Sequence, residues 1–93
     1  MAQATIDRLR ALVRSLNYAV SIHATEELED DNLISLDLEN IILTGAIVER
    51  QRDRRTHEVK YIVQGHTFSG ILAEAVVKIA PDGNLFVITV YRA

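Results

Sequence analysis

Residues 35–52 read SLDLENIILTGAIVERQR, and a change of pattern inside this stretch decides the fold. Before Gly45 the apolar residues Leu38, Ile41 and Ile42 recur at helical spacing. Ser35 opens this helix, Asp37 and Glu39 fall in its first turn, where the helix dipole favours anions, and Gly45 is expected as its C-terminal cap. After Gly45 the period shortens to that of a strand, and Ala46 to Arg52 is the first strand expected.

Downstream the strand pattern continues. Asp53 to Thr56 reads as a polar turn. In the next strand Val59, Tyr61 and Val63 alternate with Lys60, Ile62 and Gln64. Gly65 to Gly70 reads as a loop. Ile71 to Ala80 is a long, largely apolar strand expected at the centre of the sheet. Pro81-Asp82-Gly83-Asn84 is a turn, because Pro fixes the first φ and Gly accepts a positive one. Leu85 to Tyr91 is the last strand.

Upstream, Ile6, Leu9, Val13 and Leu16 form one apolar stripe of a helix capped by Thr5 and ending near Asn17. Tyr18-Ala19-Val20 is short and extended. Ser21 is a second N-cap, for an acidic helix from His23 to about Asp31, and Asn32 is its stop. The order predicts an α+β fold in which three N-terminal helices precede a four-stranded antiparallel sheet and pack on one of its faces.

Composition bounds the rest. Ninety-three residues suffice for one domain, expected over residues 1–93. Hydrophobic residues are 48% and charged residues 25%, which excludes a disordered chain. No apolar run reaches the roughly 20 residues of a membrane helix, so a soluble protein is expected. Cysteine is absent, which excludes disulfides, thiolate metal sites and a cysteine nucleophile and fits a bacterial cytoplasm. No phosphate-binding glycine loop, nucleophile elbow or calcium loop is present, and the histidines lack metal-site spacing, so neither cofactor nor metal is expected. The net charge is −3, unevenly spread. Residues 1–45 hold three basic and eight acidic side chains, a balance of −5, and residues 46–93 hold seven and five, a balance of +2. A polyanion therefore has to approach the second half.

Two groups of residues carry candidate chemistry. Arg50, Arg52 and Arg54 alternate, so in a strand they share one face, with Arg55 in the adjoining turn. Four guanidinium groups this close can grip phosphate. The plainer alternative is a solvated edge hairpin in which Glu49, Asp53 and Glu58 pair with them and the charges guard the sheet edge. Histidine is the side chain that titrates near neutrality unaided. His57 follows the arginines directly and is a candidate acid or base for phosphate chemistry, or an exposed turn residue.

The run Ser21-Ile22-His23-Ala24, the acidic helix with Leu33, Ile41 to Gly45, Asp82-Gly83-Asn84 and Val87 to Tyr91 together resemble the bacterial domain-of-unknown-function family four-two-five-eight. The likeness runs from about Tyr18 to Arg92, making residues 18–92 a family-like core behind an N-terminal helix of residues 1–17. That family is uncharacterised in function, and its layout resembles RelE-type toxins, small ribonucleases. The resemblance implies a basic sheet face for RNA and an acid or base at its edge. It adds His23, Tyr91 and Arg92 as candidates. His23 has the alternative of capping or packing its helix, and Tyr91 of closing the core with a wet hydroxyl. Where the family commonly carries arginines in the helix after the His-Ala pair, this sequence has Glu27 and Asp31. Carboxylates there repel a phosphate chain. The resulting expectation is a non-enzymatic interaction or oligomerisation module, with a protein partner or a second copy bound at the sheet edge or the acidic helix. The alternative is a RelE-like endoribonuclease toxin, or its descendant, binding RNA through the hairpin arginines.

Overall fold

The computed structural model describes residues 2–93. Its elements are α1 (Ala2–Arg14), β1 (Tyr18–Val20), α2 (Ile22–Asp30), α3 (Ser35–Thr44), β2 (Ala46–Arg52), β3 (Val59–His66), β4 (Leu72–Ile79) and β5 (Leu85–Arg92). The three helices and the four long strands fall in the order the sequence predicts, in an α+β fold.

The sheet departs from expectation. It has five strands in the order β1-β5-β4-β3-β2, and it is mixed rather than purely antiparallel. Tyr18–Val20 is the extra strand, running parallel to β5 with Tyr18 opposite Leu85 and Val20 opposite Val87. The chain enters it through Leu16, whose φ of 60° ends α1 by reversing the backbone. Leu85 N–H then donates to Asn17 O and Ser21 N–H to Val87 O. β4 is central, as expected, but only one of its faces is apolar throughout. Ala73, Ala75 and Val77 are fully buried, whereas Glu74, Val76 and Lys78 lie half-buried on the open face.

One core joins sheet and helices. Leu9 and Val13 of α1, Ala24 and Leu28 of α2, and Leu38, Ile41 and Ile42 of α3 cluster with Val63, Val77, Val87 and Val90. Burying each of the larger side chains contributes about 1.5–3 kcal/mol. α1 starts at Ala2, so Thr5 lies within the helix and is not its cap. Ser21 caps α2 as predicted, its hydroxyl accepting the Ala24 amide at 2.9 Å, and Asn32 takes the left-handed conformation that ends it.

Gly45 serves a purpose other than the left-handed cap. Its backbone is extended, with φ −88° and ψ 172°. A Cβ there would meet Ile41 O at 2.4 Å, and one on Gly65 would meet the same oxygen at 2.0 Å. Gly45 at the helix-to-strand junction and Gly65 within β3 together let the end of α3 lie directly on β3.

Directly opposed residues share a face of an antiparallel pair. The pairs Tyr61–Val77 and Val63–Ala75 define the helix-bearing face, and Ile62–Val76 and Gln64–Glu74 the open one. A bulge at Val48 resets β2, so Arg50 stands opposite Tyr61 and Arg52 opposite Val59. These two arginines therefore lie on the helix-bearing face, while Glu49 and Gln51 lie on the open face.

Candidate anion-binding site

The β2–β3 hairpin turns on Asp53. Its carboxylate accepts the amides of Arg55 at 2.8 Å and Thr56 at 2.9 Å. Those bonds, the Thr56 amide foremost, hold the carboxyl below the usual carboxylate range. Asp53 N–H donates to Glu58 O and His57 N–H to Asp53 O, closing the turn. His57 completes the reversal with a φ of 61°, uncommon for a residue with a side chain.

This turn gathers part of the predicted cluster. Arg52, Asp53, Arg54 and His57 line an open groove of ≈ 550 Å³. Arg50 lies two residues back along β2, and Arg55 is exposed in the turn. Arg54 lies beyond the end of β2, so it does not share the strand face of Arg50 and Arg52 as the alternation predicts. All four arginines are exposed.

The local pairing that would neutralise them is not formed. Glu49 accepts from Gln51 Nε2 at 2.6 Å. Asp53 is taken up by its own turn. Glu58 pairs with Lys78 Nζ at 2.8 Å, across to the open face. Lys78 in turn lies over the Phe86 ring, 5.6 Å from its centre. Among the described residues the ion pairs are Arg10–Asp7, His23–Glu27 and Lys78–Glu58, none of which includes a hairpin arginine.

The other candidates lie elsewhere. Gln64, Glu74 and Tyr91 form one cross-strand row at the opposite end of the sheet. At about 3.3 Å per residue along β3, this row is roughly 20 Å from His57. Tyr91 Oη donates to Glu74 at 2.6 Å, and that bond, with partial burial, pushes its pKa up to about 12. Gln64 Nε2 donates to the second oxygen of Glu74. Arg92 stands opposite Ala73, still farther from the hairpin. His23 is exposed on α2, with Nε2 3.4 Å from Glu27 Oε1. It neither caps the helix, which Ser21 does, nor packs into the sheet. His66 ends β3 rather than lying in a loop.

Glu27 holds a part that sequence reasoning missed. Its Oε1 accepts the Val90 amide at 2.9 Å and the Thr89 hydroxyl at 2.8 Å. Together with Ser21 Oγ, which donates to Ile88 O at 2.8 Å, it seals the edge of β5 beyond the end of β1. The Glu27 carboxylate is thus a strand partner. The exposed edge at β2 is blunted by its bulge and its charges, the usual guards against edge-to-edge pairing.

The family model for the Domain of unknown function (DUF4258) matches residues 20–92. The chain belongs to this family. The matched span takes in the whole sheet from the end of β1, both acidic and hairpin segments, and leaves α1 outside. Neither the curated proteins nor the solved structures include a match to this chain. Among the described residues no helix is long and apolar enough to cross a membrane, and no group of three His, Asp or Glu side chains is placed to hold a metal ion.

Proposed function

We propose that this domain is a non-enzymatic interaction module that holds a chain of phosphates on its β2–β3 hairpin. One observation carries the reading. Glu49, Asp53 and Glu58 each bond elsewhere, which leaves Arg50, Arg52, Arg54 and Arg55 without an ion-pair partner, two of them, Arg52 and Arg54, lining the groove at His57 alongside Asp53.

Guanidinium forks match phosphate oxygens bidentately, and such charge-assisted bonds are about twice as strong as neutral ones. The overall charge of −3 does not cancel this attraction. Exposed charges are screened beyond about 8 Å at physiological ionic strength. The carboxylates Glu27 and Glu74 lie at the far end of the sheet, well outside that range, and within residues 49–58 four arginines stand against the three carboxylates Glu49, Asp53 and Glu58.

The alternative, a RelE-like ribonuclease or its descendant, has less support. General acid–base cleavage needs its groups within about 3 Å of the proton transferred. His57 lies at one end of the sheet and His23 and Tyr91 at the other. Tyr91, with its raised pKa, is also a poor base at neutral pH.

The test is the salt dependence of binding to inorganic polyphosphate. Each phosphate neutralised releases counterions, so affinity falls steeply with salt, and changing Arg52, Arg54 and Arg55 to Ala flattens the log–log slope by about two to three units. Absence of binding at about 50 mM salt overturns the proposal.

A further inference from the structure

We infer that the phosphate chain held by the hairpin is that of a single-stranded nucleic acid, one base of which sits in the groove between α1 and β3. The inference rests on the anion-binding reading above and names its ligand.

A second groove, of ≈ 420 Å³, adjoins the first on the helix-bearing face. Its apolar lining is Val59, Tyr61, Ile79 and Pro81, from β3, the end of β4 and the turn after it. Arg8 of α1 and His57 stand among the lining residues too. Glu58 also borders this groove, but its carboxylate is held by Lys78.

His57 lines both grooves, so they meet at one side chain. The strand register adds cations along the same side. Arg50 is directly opposite Tyr61 and Arg52 directly opposite Val59. An apolar, partly aromatic floor thus lies between the hairpin arginines and Arg8.

That arrangement fits a ligand whose charged and planar parts alternate. Unstacked bases pack on aromatic side chains and on guanidinium planes while the backbone follows a cationic groove. A duplex keeps its bases stacked and paired, so it cannot place one on Tyr61. Inorganic polyphosphate has nothing to set against an apolar floor. Stacking is a contact that every base can make, so it favours single strands over duplexes without fixing a sequence.

The experiment compares three probes on the intact protein at one salt concentration: a short single-stranded RNA, the same strand with abasic sites throughout, and inorganic polyphosphate of equal charge. The RNA is expected to bind about tenfold tighter than either of the others, the range set by stacking of one base. The advantage is expected to shrink several-fold in a Tyr61→Leu variant, which keeps apolar volume but loses the ring. Equal binding of all three probes by the wild type overturns the base-groove inference and leaves the anion site standing. Failure of all three to bind overturns both. Because the decisive comparison is made on the wild type, a destabilised Tyr61 variant does not blunt it.

Discussion

Glu27 Oε1 lies 2.9 Å from the amide nitrogen of Val90, sixty-three residues on in the chain. That contact closes β5 where its three-residue partner β1 has run out. It also explains why α2 is acidic at this position: the strand edge presents a donor, and a carboxylate answers it.

Glu27→Ala is therefore expected to destabilise the fold. It strands the buried Val90 amide, at a cost of about 1–3 kcal/mol. Glu27→Gln retains a side-chain oxygen and is expected to recover much of the loss. Urea midpoints of the three proteins check this. An Ala variant as stable as the wild type would show that water replaces Glu27 without loss.

The glycines make a second comparison. Gly65→Ala forces a Cβ to 2.0 Å from Ile41 O, a backbone atom that cannot swing aside. Overpacking of this kind costs about 1–3 kcal/mol or more. Gly70→Ala meets no atom and suffers only its φ of 89°, a strain of about 1–2 kcal/mol. The thermal midpoint of Gly65→Ala is expected to fall further than that of Gly70→Ala. The reverse order would mean that α3 does not rest on β3 as described.

Alkaline pH should loosen the fold through two tyrosines. Burial and a hydrogen bond to Glu39 push Tyr18 up to about 12, and the bond to Glu74 does the same for Tyr91. Both hold their protons more tightly folded than unfolded. The stability they lend is complete below about pH 10 and is lost as the pH rises toward 12. Denaturant midpoints should drop across that window, and less so in a Tyr18→Phe, Tyr91→Phe double variant. A wild-type midpoint flat from about pH 9 to pH 11 would contradict the linkage.

Long periodic segments were legible in the sequence, and short or distant pairings were not. The α3-to-β2 switch at Gly45, the central strand and the Pro81–Asn84 turn each announce themselves within about ten residues. Tyr18–Val20 is three residues long, too short for a period, and its partner lies at Leu85–Val87. Gly45 was recognisable as a helix end, but its reason, the approach of Ile41 O, depends on Gly65 across the fold. The hairpin arginines were legible as a cluster. Their lack of partners was not, because adjacency in sequence does not assign ion pairs. Asp53 turns inward to its own amides, and Glu58 reaches twenty residues on to Lys78. The groove of Arg8, Tyr61 and Pro81 draws on three separate segments and left no local signal.

No cleavage of RNA is expected from the purified protein, because His57 stands roughly 20 Å along the sheet from the row of Tyr91. Incubation with single-stranded RNA and sizing of the products checks it. Cleavage abolished by His57→Ala would mean that the hairpin alone assembles a catalytic site.

The most direct measurement is a titration of isotopically labelled protein with inorganic polyphosphate, following the backbone amide resonances at low salt. Anion binding at the hairpin predicts that the largest shifts fall on residues 50–58, with little change at His23, Glu27, Glu74 and Tyr91. Shifts centred on that opposite end, with residues 50–58 unmoved, would contradict it.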